Sequence, residues 1–246
     1  MAAASAACAV SLAACEAALA AHFASALAEP APIWIFGFGS LLWKREGDFA
    51  TQHAALGGWV RRFYQASPDH RGSPSRLGRV CTVVPVARHA RHCGVHFPCP
   101  LTRAAVQQWL SREPCAAADE GGAVEEEAME GEDPVVHGMV YKLEGADAAA
   151  HVARLCKREA GGYSARCVRC VLGSGEVITA HTFVGEPGQF YQPGTPAELA
   201  RIIASARGAS GENVEYLLLV RDALQQLGVK DKALDALVEL TLAHKQ

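Results

Sequence analysis

The strongest constraint on this chain is a series of short strand-like segments separated by Gly, Pro, Asp and Ser turns rather than by regular helices. They fall at 33–36, 58–65, 79–85, 93–97, 135–143, 166–172 and 177–184. Parallel strands need long crossovers, usually helical, so this spacing disfavours a doubly wound sheet. It favours a barrel or an α+β arrangement, with most strands antiparallel candidates. Helices are expected at 103–112, 147–160, 196–206, 212–227 and 230–244, with a loop at 205–212 broken by Gly208 and Gly211. The body reads as one domain, 32–246.

Residues 1–31 are Ala-rich and carry no Lys or Arg, the first basic side chain being Lys44. They therefore lack the charged start of a secretory signal and the Arg-rich face of a transit peptide. Leu12, Ala13, Cys15, Glu16, Leu19 and Phe23 form a helical stripe, which predicts a leader helix set apart from the domain. Of the 246 residues 46 are alanine, so the high apolar count hides only an ordinary supply of large core side chains. No run of about 18 strongly apolar residues exists, which excludes a helical membrane span. A cytoplasmic protein is expected.

The net charge of −3 is uneven. Segment 113–133 holds nine acidic residues and no basic ones, so the rest of the chain is mildly basic. Rich in Gly and Ala and poor in bulky apolar residues, the segment cannot bury enough surface to offset its ordering entropy and reads as a mobile surface insertion. The nine cysteines, odd in number and without a secretion signal, argue for reduced thiols. Cys167 and Cys170 have CxxC spacing, and His89, His92, Cys93, His96 and Cys99 could supply further metal ligands. On a continuous strand, Cys167 and Cys170 differ in parity and point to opposite faces, so no metal site is expected.

Three constellations could carry chemistry. Phe36-Gly37-Phe38-Gly39-Ser40-Leu41 follows a strand, and its glycines let backbone N–H groups approach an anion. As a dinucleotide motif it fails, lacking a third glycine and an acid about 20 residues on. Arg61, Arg62, Phe63 and Tyr64, followed by Asp69-His70-Arg71-Gly72, Arg76 and Arg79, interleave basic and aromatic residues. That pattern is compatible with nucleic acid or with one small anionic ligand. The third is the helix ending at Glu159. Val152, Leu155, Cys156 and Glu159 stand at i, i+3, i+4 and i+7, so the carboxylate lies on the apolar stripe while Arg154, Lys157 and Arg158 are expected to point elsewhere. Gly161 and Gly162 end the helix. A desolvated carboxylate there is the place to look for a general acid/base with a raised pKa.

Together, GFGSLLW, RRFYQASPDHRG, REAGGY and SGENVEYL resemble the ChaC family, the glutathione-specific γ-glutamylcyclotransferases, over about Ile33 to Leu227. The resemblance implies an α+β fold, a small mixed or antiparallel β-barrel flanked by helices, that converts glutathione to 5-oxoproline and cysteinylglycine without cofactor or metal. It implies a catalytic Glu159 and a substrate loop of Ile35, Phe36, Gly37, Phe38, Gly39, Ser40 and Leu41, with Arg71 and Tyr191 also at the substrate. Phe38 stands where the family usually carries Tyr, and either Phe190 or Tyr191 matches a family aromatic. The expected partner is glutathione alone, with no nucleic acid and no membrane, and a monomer is expected.

Overall fold

The computed structural model describes residues 12–44, 47, 49–92, 134–187 and 190–245. The expected strand at 93–97, the helix at 103–112 and the acidic segment 113–133 lie outside them. In chain order the elements are α1 (Leu12–Ala28), β1 (Ile33–Gly37), a 3-10 turn (Ser40–Leu42), β2 (Thr51–Gly57), β3 (Trp59–Ser67), β4 (Gly78–Pro85) and α2 (Val86–His92). There follow β5 (Val135–Leu143), α3 (Ala148–Glu159), β6 (Tyr163–Leu172), β7 (Val177–Gly185), α4 (Pro196–Ser205), β8 (Arg207–Gly208), β9 (Gly211–Glu212), α5 (Asn213–Gln226) and α6 (Lys232–Ala243).

Five strands close a barrel in the order β1-β5-β2-β6-β7. All neighbours are antiparallel except β1 and β7, which meet in parallel at Ile35 and His181. The mixed barrel agrees with the fold class expected above. Strand β5 follows the sequence boundaries because its residues alternate between buried and half-buried along the strand. Strand β2 was not foreseen. Its sequence, TQHAALG, has no β-branched residue after Thr51, yet all seven residues pair with β5. Tertiary pairing overrides weak local propensity there. The expected loop at 205–212 is instead the tight β8–β9 hairpin. Its tip donates from Ala209 N and Ser210 N to the carbonyls of Asp69 and His70 at 2.8 and 2.9 Å.

Strands β3 and β4 form a separate ribbon, broken by a register shift between Arg62 and Gln65. Both are buried nearly throughout, and Val83, Val84, Ile203, Leu217 and Leu224 join them with α4 and α5 in the main core. A second cluster lies outside the barrel. In it Leu19 and Phe23 of α1 pack with Ile33, Ile35, Tyr141, Val152, Cys156 and Phe183. The leader helix thus contributes buried side chains to the body. Among the described residues, no helix is long and apolar enough to cross a membrane.

Asn213 fixes where α5 starts. Fully buried, it accepts from Arg79 N at 2.6 Å and donates Nδ2 to Arg79 O at 2.7 Å, so one amide satisfies both backbone groups of a β4 residue. Truncation leaves two buried polar groups without partners, each costing about 1–3 kcal/mol. Asn213→Ala is therefore expected to lower unfolding free energy by about 3 kcal/mol, measured as a shift in denaturant midpoint. An unchanged midpoint would show that water replaces the amide.

Candidate active site

The chain leaves β1 at Gly37 and turns at once. A Cβ on Gly37 would lie 2.6 Å from the Leu41 Cβ and 3.0 Å from the Tyr141 ring, so only glycine allows the loop to fold back this closely. Side chains from three distant strands then hold the loop carbonyls. Thr182 Oγ1 donates to Phe36 O at 2.9 Å, Arg61 Nε to Phe38 O at 3.2 Å, and Tyr141 Oη to Leu41 O. The 3-10 turn is closed by Leu42 N donating to Gly39 O at 2.9 Å.

Glu159 is the last residue of α3, and its side chain is only 14% exposed. It lines a narrow cleft with Phe36, Phe38, Gly39, Ser40 and Leu41 on one side and Cys81, Tyr163, Phe183 and Tyr216 on the other. Gly162 follows at φ +108°, where L side chains are strained, and a Cβ there would lie 2.6 Å from Gln65 Nε2. Gln65 in turn donates to Gly162 O at 3.2 Å, holding the turn that ends α3 against β3.

Arg158 does not point away from Glu159. Its Nε lies 3.2 Å from Glu159 Oε1, Nη2 donates to Ser40 Oγ at 2.6 Å, and Nη1 donates to Lys44 O at 3.0 Å. One guanidinium thus ties the carboxylate to the loop across the cleft. Behind them, Tyr163 Oη donates to Cys81 O at 2.7 Å, and Cys81 N donates to Tyr216 Oη at 3.3 Å. Burial pushes both phenols well up, with the Glu159 charge adding to the shift on each. Burial also pushes the Cys81 thiol up to about 12, so it stays protonated near neutrality and is no nucleophile. Among the described residues that line the cleft, Glu159 is the one carboxylate. Such a wall offers a proton acceptor and backbone dipoles.

The structure thus brings Phe36, Phe38, Gly39, Ser40, Leu41 and Glu159 to one cleft, with Gly37 packed behind Leu41. Three expected site residues lie elsewhere. Ile35 lines a separate apolar pocket with Leu41, Phe49, Tyr141 and Leu155, because alternation along β1 turns it to the face opposite Phe36. Arg71 donates to Glu212 O at 2.8 Å and pairs with Glu215 at 3.1 Å, its guanidinium 5.9 Å from the Tyr216 ring centre. It supports the cleft wall from behind. Tyr191 is buried edge-on against Tyr64, ring centres 5.9 Å apart, and is absent from the cleft lining. Phe190 is likewise absent from the cleft lining; it packs on the turn after Glu159, where a Cβ on Gly162 would lie 2.9 Å from its ring. Sequence reasoning missed Arg158, Cys81, Phe183 and Tyr216, although Tyr216 sits inside the SGENVEYL motif.

Comparison with known proteins agrees with this geometry. A glutathione-specific γ-glutamylcyclotransferase of Saccharomyces cerevisiae is 28% identical over 212 residues, covering 80% of this chain and 87% of the relative. A glutathione-specific γ-glutamylcyclotransferase 1 of Homo sapiens is 27% identical over 222 residues, covering 86% and 79%. The crystal structure of a yeast γ-glutamyl cyclotransferase specific to glutathione superposes with a TM-score of 0.67 at 27% identity, covering 88% of this chain and 98% of that one. The family model described as ChaC-like protein matches residues 33–244, which takes in the loop, Glu159 and both flanking tyrosines, and the chain accordingly belongs to that family.

Proposed function

We propose that this protein cleaves glutathione by cyclising its γ-glutamyl group, giving 5-oxoproline and cysteinylglycine, with Glu159 as general acid/base. The observation that carries the reading is Glu159, the one carboxylate among the described residues of the cleft, facing the Phe38–Gly39–Ser40–Leu41 loop in a ChaC-family chain. In a γ-glutamyl group the α-amine reaches its own side-chain carbonyl to close a five-membered ring, so the nucleophile is tethered and needs chiefly to be frozen in one rotamer. Glu159 accepts a proton from the α-ammonium, and the freed lone pair attacks the γ-carbonyl carbon. The tetrahedral intermediate then expels the cysteinyl nitrogen, which takes the proton back from Glu159, while the ring nitrogen loses its second proton to solvent and the released amine takes one up. Backbone N–H groups between Gly37 and Leu41 are assigned to the α-carboxylate or to the developing oxyanion. With Phe38 in place of the family's usual Tyr, Tyr163 and Tyr216 are the phenols of the cleft.

The nucleic-acid reading gains nothing from the geometry. Arg61 is paired with Asp231 at 2.6 Å, Arg71 with Glu215, and Arg79 donates to Gln192 at 2.7 Å, while Arg62 donates to His89. These guanidiniums are engaged inside the fold, not presented as a phosphate-binding face. A monomer acting in a reducing cytosol, where glutathione is abundant, completes the proposal.

Incubation with glutathione, oxidised glutathione and γ-glutamyl dipeptides, followed by detection of 5-oxoproline, tests it. Release from glutathione in preference to the dipeptides is expected. Equal or faster release from the dipeptides would move the substrate to γ-glutamyl amines at large, and no release from any would overturn the activity.

A further inference from the structure

The β6–β7 register places Cys167 directly opposite His181. Alternation buries Val168 and Cys170 and turns Cys167 to the outer face, where α1 crosses the barrel wall. Packing of Phe23, which is fully buried with its ring 4.7 Å from that of His181, brings the neighbouring His22 onto the same pair. Three elements far apart in sequence thus converge three ligand atoms. His22 Nε2 lies 2.9 Å from His181 Nδ1, and Cys167 Sγ lies 3.9 Å from the former and 3.7 Å from the latter.

We propose that His22, Cys167 and His181 form a binding site for a borderline-soft divalent cation, Zn2+ being the best match, that clamps α1 to the outside of the barrel. With Zn–N of about 2.0–2.1 Å and Zn–S of about 2.3 Å, a tetrahedral ion requires ligand atoms roughly 3.3 Å apart for N and N and roughly 3.6 Å for N and S. The observed triangle differs from that by a few tenths of an ångström on each edge. Two imidazoles and one thiolate suit Zn2+ better than the oxygen-seeking Mg2+ or Ca2+. Half-burial of both histidines favours their neutral, ligating forms: burial and His22 push His181 down to about 4, and burial with the nearby Arg166 lowers His22. The Arg166 guanidinium is itself held by Glu186 at 2.7 Å, which tempers its repulsion of a cation. Cys167 is exposed, leaving the fourth position for water. On binding, the thiol loses its proton to solvent and the imidazoles keep one proton each on the nitrogen facing away from the metal.

This is a different place from the Cys167–Cys170 pair weighed on the sequence, whose sulfurs face opposite sides as expected. The signal was obscured because the ligands are separated by 145 and 14 residues and gathered only by barrel closure and helix docking.

Titration of the full chain with Co2+ and Zn2+ is the test, with Cys167→Ser and His22→Gln as variants. Expected are one equivalent of Co2+ with thiolate-to-metal charge-transfer absorption and tetrahedral visible bands, both displaced by Zn2+, and a rise in melting temperature with Zn2+. Cys167→Ser should abolish the charge-transfer band, and each variant should weaken Zn2+ binding at least tenfold and remove the thermal shift. Absence of the band in the parent, or its persistence in Cys167→Ser, would overturn the site, since the thiolate would then come from another cysteine. Unaltered affinity in His22→Gln would overturn the clamp.

Discussion

Glu159→Gln is expected to reduce kcat/KM for 5-oxoproline release by about 10^2 to 10^4-fold, the range that positioned acid–base groups contribute. The amide keeps the volume of the side chain and an oxygen that can still accept from Arg158, so the contact at 3.2 Å survives in kind. What it cannot do is take the α-ammonium proton and return it to the leaving nitrogen. The melting temperature should therefore stay within a few degrees of the parent, because the amide oxygen keeps the hydrogen bond from Arg158 and leaves no buried donor without a partner. Substrate binding should change less than turnover. Equal turnover by mutant and parent would remove Glu159 from the chemistry, whereas a large fall in melting temperature would mean the loss reports on folding.

Arg61→Met should produce the largest stability loss among the substitutions considered. The guanidinium is almost fully buried and makes three contacts: Asp231 at 2.6 Å, His137 O at 2.5 Å and Phe38 O at 3.2 Å. Asp231 also caps α6 by accepting from Leu234 N at 3.1 Å. One side chain therefore joins the ribbon, the barrel, the C-terminal helix and the loop that lines the cleft. Methionine fills much of the volume but leaves a carboxylate and two carbonyls without their donor, and breaking a buried pair in this way costs about 3–5 kcal/mol. For a domain of this size the expected fall in melting temperature is on the order of 10 °C. At temperatures where the variant is still folded, KM for glutathione should rise, since Phe38 O loses an anchor. A melting temperature within two or three degrees of the parent would refute the assigned role.

Particular residues explain what was readable beforehand. Glu159 was legible because its spacing from Val152, Leu155 and Cys156 survives into the structure, where Val152 and Cys156 are buried and the carboxylate meets the cleft. Arg158 was not. A helical wheel fixes where a side chain leaves the backbone, but a long guanidinium in the last turn can reach round to the next residue and across to Ser40. Ile35 was assigned to the loop because the motif was read as one contiguous unit, whereas the part lying in β1 obeys a period of two and faces α1 and α3. Strand β2 was hidden by weak propensity, and Arg71 by the distance in sequence to Glu212 and Glu215. Barrel membership of β1, β5 and β7 was foreseeable only as a class of fold, since nothing local in the chain states which strand closes on which.

That closure sets an order of events during synthesis. Strand β1 is made early, yet its partners are Tyr141 on β5 and His181 on β7, both much later in the chain. Contacts so distant in sequence slow folding and leave strand edges exposed in the interval. The loop that lines the cleft waits long, because two of the groups that hold its carbonyls, Tyr141 and Thr182, emerge 100 and 146 residues after the carbonyls they bind. Any chain interrupted before β7 therefore carries the GFGSL motif without its cleft, and ligand affinity becomes a reporter of a barrel that has closed.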